Sequence, residues 1–124
     1  MTIQQSDPHK RGRASRDKGA RAERTLAALL NEYGFSNVHR GYTFHHESDV
    51  VGLEGIHIEC KSVERLNIFK AMEQATEEAE KRKDGVPVVF HKRTRTGFLV
   101  TMRIQDWIGI YKDAMRWREH GKDK

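Results

Sequence analysis

The stretch Asp49-Val50-Val51-Gly52-Leu53-Glu54-Gly55-Ile56-His57-Ile58-Glu59-Cys60-Lys61 decides how this chain is read. An acid precedes a short apolar run, a turn follows at Leu53-Glu54-Gly55, and a second run alternates apolar with polar residues. Alternation at period two marks a strand with one buried face. It puts Ile56, Ile58 and Cys60 on one side and His57, Glu59 and Lys61 on the other. The two runs, Asp49 to Leu53 and Ile56 to Lys61, read as a β-hairpin. A carboxylate and an ammonium then leave one strand in the same direction, beside a carboxylate delivered by the neighbouring strand. Such a group can hold a hard divalent cation through oxygen and keep a fixed positive charge next to it.

Working outward, Ile68, Met72, Ala75 and Ala79 recur at helical spacing and predict a helix from Ile68 to Lys83, ended by Asp84-Gly85. Its acids lie toward the start and its bases toward the end, as the helix dipole favours. Val86 to His91 is an unbroken apolar run, the signature of a buried strand. Thr96-Gly97 turns into a further strand, Phe98 to Met102. A last helix starts near Gln105, with Trp107, Ile108, Tyr111 and Met115 on one side and Trp107 expected in the core. Upstream, Val38 to Phe44 reads as a short strand. Ala22, Leu26, Leu29, Leu30 and Tyr33 predict a helix from Arg16, capped by Ser15 or Asp17 and closed by Gly34. The order αβββαββα, with a strand–helix–strand crossover from Lys61 to Val86, predicts an α/β fold: a central mixed sheet flanked by helices. Residues 1–15 are polar and aperiodic and read as a flexible basic tail; residues 16–124 read as one domain.

Composition narrows the function. The chain has 124 residues, one Cys and a formal net charge of +5. No internal disulfide can form, and Cys60 sits in an apolar alternation that suits a small core residue. No apolar run reaches the length of a membrane span and the N-terminus is not signal-like, so a cytoplasmic protein with no membrane partner is expected. The positive charge is uneven. Residues 1–24 carry seven Lys/Arg against three acids, and Val86 to Ile104 carries Lys92, Arg93, Arg95 and Arg103 with no acid. A polyanion such as DNA explains that footprint, with Lys92, Arg93 and Arg95 among the residues that would meet it.

In the candidate site Asp49 and Glu59 would bind the metal, with the backbone carbonyl of Cys60 as a further ligand. Oxygen donors suit Mg²⁺, with Mn²⁺ able to substitute and no organic cofactor required. Lys61 would hold the attacking water or neutralise charge gathering on a phosphate. Glu23 lies at the edge of the first helix's apolar stripe. Either it leans into the metal site, directly or through a water, or it is an exposed acid favoured by the helix dipole. His57 shares the face of Glu59 and Lys61 and could approach the metal's outer shell or DNA. His45 and His46 read as a polar loop.

Taken together, Lys18-Gly19, Glu23-Arg24, Leu26, Leu30, Gly34-Phe35, Arg40, Asp49 and the run Ile58-Glu59-Cys60-Lys61 resemble the archaeal Holliday junction resolvases and their phage and bacterial relatives. These are nucleases of the PD-(D/E)xK superfamily, and the likeness spans about Arg16 to Met102. The resemblance implies a restriction-endonuclease-like core and Mg²⁺-dependent hydrolysis of branched DNA, the four-way junction, by a homodimer. It implies catalytic roles for Glu23, Asp49, Glu59 and Lys61, and for Gln74 on the second helix. It implies that Arg16, Lys18, Arg21, Arg24 and Arg40 bind DNA. Ser48 stands where the motif has Pro, a position taken to shape backbone only. Two alternatives stay open: the same nuclease core acting on another DNA substrate (nicking, repair or phage DNA processing), and a non-catalytic basic DNA-binding module.

Overall fold

The computed structural model describes residues 8–42 and 48–121. The elements are α1 (Pro8–Glu32), β1 (His39–Arg40), β2 (Val50–Val51), β3 (Ile56–Ser62), α2 (Ile68–Arg82), β4 (Val86–Lys92), β5 (Leu99–Met102) and α3 (Ile104–Gly121). The strands form a five-stranded sheet in the order β1-β2-β3-β4-β5. Every pair is antiparallel except β3 and β4, which run parallel from Ile56↔Val86 to Ser62↔Lys92. The parallel pair requires the α2 crossover, so the mixed α/β sheet follows from one strand–helix–strand unit.

The two faces of β3 separate as the alternation requires. Ile58 and Cys60 pack with Val38, Val50, Val88, Phe90 and the α1 residues Ala22, Leu26 and Ala27. Truncating Leu26 to Ala would remove the most deeply buried contact of α1 and cost about 2–5 kcal/mol. On the opposite face Val89 packs against Ala71 and Ala75 of α2, and Ala79 continues that buried line. Alanines bring the helix close to the sheet. The buried line sits slightly to one side of the expected stripe, with Ile68 and Met72 half-buried at its flank. Asn67 caps the start of α2, its side chain accepting from Lys70 N, and Lys83 closes the end in the left-handed conformation.

Two expectations are corrected. Helix α1 begins at Pro8, not Arg16, so residues 8–15 of the expected tail are helical. Pro is accommodated at the first helical position, and the Lys, Arg and Ala that follow are good helix formers needing no apolar stripe. Residues 1–7 lie outside the described ones, as do residues 43–47, which hold the end of the expected first strand and the pair His45 and His46. Second, Trp107 is not a core residue. It is 50% exposed and stacks on Tyr111 at 5.3 Å, and no residue of α3 is buried. Helical periodicity reports an amphipathic helix and says nothing of what covers its apolar side. Among the described residues no helix is long and apolar enough to cross a membrane.

Candidate active site

Asp49 stands one residue before β2, and Glu59 and Lys61 leave β3 on the α2 side. The hairpin brings them together. Asp49 and Glu59 line one cleft of about 250 Å³ with Ser48 and His57, and α2 supplies its far wall through Gln74, Glu78 and Arg82. Those three helix residues recur at four-residue steps and therefore share a face. Arg82 and Glu78 pair at 3.3 Å. Lys61 Nζ lies 3.3 Å from Glu59 Oε1. The backbone N–H of Cys60 donates to Asp49 Oδ2 at 2.9 Å. In an extended strand the N–H and C=O of one residue point to the same edge, so the Cys60 carbonyl also faces the Asp49 side.

The electrostatics separate the two acids. Burial, then the charge of Glu59, push Asp49 up to about 6, with Glu23 adding to the push and the Cys60 N–H opposing it. Burial also pushes on Glu59, but His57 and Lys61 outweigh it and hold that carboxyl below its ordinary value. One acid is held in its ionised form while its neighbour takes up a proton at about pH 6. The Cys60 thiol, pushed up to about 12 by burial and then by the acids around it, is chemically quiet.

Glu23 is half-buried and accepts from Arg40 Nε at 2.6 Å. Its charge reaches Asp49 and Cys60. Arg40, expected on a DNA phosphate, is therefore engaged by Glu23. On α1, Arg16, Arg21 and Arg24 are exposed, and Lys18 lies 3.7 Å from Glu64. Glu64 also accepts from the backbone and side chain of Thr94. Lys92 and Arg93 do not enter the acidic cleft. With Arg65 they rim a separate groove of about 700 Å³, floored by Leu66, Ile68 and Phe98. Arg95 sits in the β4–β5 turn with a left-handed backbone.

A buried polar network beneath the cleft was not anticipated. His57 is 1% exposed. Its Nδ1 lies 2.9 Å from both oxygens of Asp84 and 3.0 Å from Ser48 Oγ, and Ser48 Oγ donates to Asp84 Oδ2 at 2.5 Å. Nδ1 must carry the proton, because a carboxylate only accepts. Burial opposes the imidazolium, yet Glu59 and Asp84 outweigh it and raise the His57 pKa. The same contacts with Ser48 and His57 outweigh burial at Asp84 and lower its pKa. Among the described residues, His57 Nε2 is the one buried side-chain polar atom without a hydrogen-bond partner; Glu59 Oε2 lies 3.8 Å away, at ion-pair distance. A buried group left so costs about 1–3 kcal/mol. Ser48 is therefore more than a substitute for a backbone-shaping Pro. Asp84, read only as a helix terminator, had no local signal, since its partner lies 27 positions away in sequence.

Among the described residues no three His, Cys, Asp or Glu side chains gather closely enough to hold a metal ion by themselves. The donors present still fit a cation that retains waters and borrows substrate oxygens. There are two carboxylates, one raised by burial and then by the other's charge, and a strand carbonyl on their side. A cation held by these donors would offset the Glu59 charge that adds to burial in raising Asp49. Compared with protein-family models and with curated proteins, the chain matches none.

Proposed function

We propose that this chain is a Mg²⁺-dependent endonuclease of the PD-(D/E)xK type, hydrolysing phosphodiesters of DNA at four-way junctions. One observation carries the reading: Asp49 and Glu59, from two adjacent strands, open into the same cleft with Lys61 seated on Glu59 and Asp49 pushed up to about 6. Perturbed acids of this kind in a cleft mark functional sites. Asp49, Glu59 and the Cys60 carbonyl would hold the cation. Bound there, it supplies a water of lowered pKa and a counter-charge for the phosphate. Lys61 adds a second positive charge for the transition state. Gln74, exposed on the far wall, is placed to meet the substrate from the opposite side. Glu23 tunes Asp49 through charge and pins Arg40. A second copy would be met by α3, which follows the edge strand β5 in the chain and on which Trp107, Ile108 and Tyr111 are exposed. A single free cysteine suits a reducing compartment, which supports a cytoplasmic location.

Two observations favour a second reading, a basic DNA-binding module. Among the described residues the site has no third ligating side chain, and Lys61 is paired with Glu59. Cleavage of a synthetic four-way junction separates the two. The nuclease gives paired nicks that need Mg²⁺, and Asp49→Asn stops them while DNA affinity stays equal or rises. Cleavage that persists in Asp49→Asn, or no cleavage of junction, duplex or flap, overturns the nuclease. Cutting confined to duplex or flap overturns only the junction.

A further inference from the structure

The acidic cleft does not explain why β3 carries an imidazole buried to 1% exposure immediately beneath it. We propose that His57 is a positioning residue for Glu59, held in place by Asp84 and Ser48, and that this clamp sets the affinity of the site for its divalent cation. The inference rests on the nuclease reading and assigns working roles to Ser48, at the Pro position of the motif, and to Asp84, which lies outside it.

The geometry separates what the two sides of the ring do. On the Nδ1 side, Asp84 presents both oxygens at 2.9 Å and Ser48 Oγ lies at 3.0 Å. These contacts fix the plane of the ring and the tautomer. Once Nδ1 is fixed, Nε2 can face only one way, and it faces Glu59 Oε2 at 3.8 Å. A purely structural histidine would need only its first side. It would tie the α2–β4 turn to the sheet, and its second nitrogen could be carbon. Here the second nitrogen is buried, makes no hydrogen bond and lies at ion-pair distance from a proposed ligand.

Glu59 is thereby gripped from two directions. Lys61 Nζ lies at 3.3 Å from Oε1 and His57 lies beyond Oε2. Each carboxylate oxygen accepts more than one partner, so both keep capacity for a cation. A gripped carboxylate has less rotational freedom to lose on binding. Partners behind metal ligands typically change affinity by about 10–100-fold.

The far end of the clamp is anchored by backbone. Val86 N donates to Gly55 O at 2.8 Å, and a Cβ on Gly85 would lie 2.3 Å from that same oxygen. Only glycine permits this approach. It locks the turn holding Asp84 onto the turn that starts β3.

The test is Mn²⁺ binding, read as loss of the free-ion paramagnetic resonance signal, beside junction cleavage titrated with Mg²⁺. An Asn amide nitrogen occupies roughly the position of imidazole Nδ1. His57→Asn therefore keeps the ties to Asp84 and Ser48 and loses the reach to Glu59, together with the packing of the outer ring atoms. The expected result is a protein that still folds cooperatively, with Mn²⁺ binding weakened about tenfold. The Mg²⁺ midpoint for cleavage rises by the same factor, and the rate at saturating Mg²⁺ stays within about threefold. Asp84→Asn should weaken Mn²⁺ binding in the same direction. Wild-type Mn²⁺ affinity in a folded His57→Asn protein overturns the inference alone. If that variant does not fold, unchanged Mn²⁺ affinity in folded Asp84→Asn does the same. A wild-type protein that neither binds Mn²⁺ nor cuts DNA overturns the nuclease reading and the clamp with it.

Discussion

The backbone N–H of Cys60 donates to Asp49 Oδ2 across 2.9 Å, yet Asp49 remains an uncomfortable anion, pushed up to about 6. Burial and the neighbouring charge of Glu59 outweigh that one hydrogen bond. The sign of the consequence is definite. The folded pKa lies above the unfolded 3.8, so the folded state holds the extra proton between those values, and stability falls as pH rises through that window. At ~1.4 kcal/mol per pH unit, the window from 3.8 to about 6 sets an upper figure of about 3 kcal/mol, part of which belongs to Glu59. Asp49→Asn should therefore stabilise the metal-free protein at pH 7.5 and do little at pH 4. Thermal midpoints of both proteins at the two pH values check this; a gap that does not widen with pH refutes the assignment. Mg²⁺ requires the ionised acid, so its midpoint should weaken as pH drops below about 6.

Lys61 touches only one of the two acids, Glu59 at 3.3 Å. Its removal should leave cation binding measurable, because the ligating oxygens remain. Turnover should fall by about 10²–10³, the usual effect of losing one group that stabilises transition-state charge. Single-turnover cleavage by Lys61→Ala at saturating Mg²⁺ measures this. A rate near wild type would reduce Lys61 to a counter-ion for Glu59.

How much of this was legible in the chain differs by element. The alternation from Ile56 to Lys61 carried both the sheet and the site, because period two fixes which side chains share a face whatever packs on them. The α2 crossover followed from Ile68, Ala75 and Ala79. Pro8 as a helix start was not legible, since a polar helical extension has no apolar period. Nor was Trp107 at the surface, because an amphipathic stripe is the same whether a core or solvent lies over it. The Ser48–His57–Asp84 network was hidden for a different reason. It joins residues far apart in sequence through a turn whose geometry depends on Gly85 meeting Gly55. No local pattern encodes that encounter.

That encounter is itself measurable. Gly85 has φ +135° and its backbone abuts Gly55, so a methyl group there meets both strain and a 2.3 Å clash. Gly34 has φ +105° with nothing within 4 Å of an added Cβ. Gly34→Ala should cost about 1 kcal/mol, for conformation alone, and Gly85→Ala distinctly more. Urea unfolding of the two variants against wild type gives the comparison. Equal losses would mean that the α2–β4 turn moves away from the hairpin at little cost, and the anchoring of Asp84 would be weaker than its contacts indicate.

The basic residues make a different kind of prediction, because Lys92 and Arg93 rim their own groove and are not in the acidic cleft. If they meet phosphates, their work is positional and shows in salt dependence, not in chemistry. Junction affinity should fall steeply with salt, with a log–log slope of about −0.9 for each phosphate neutralised. Lys92→Ala and Arg93→Ala should each flatten that slope by about one and leave the single-turnover rate at saturating protein unchanged. The contrast with Lys61→Ala is the decisive part: Lys92 and Arg93 alter binding and its salt response, and Lys61 alters rate at full occupancy. A flat salt response in wild type would remove the groove from the DNA path and leave α1, where Arg16, Arg21 and Arg24 are exposed, as the surface to examine in the same assay.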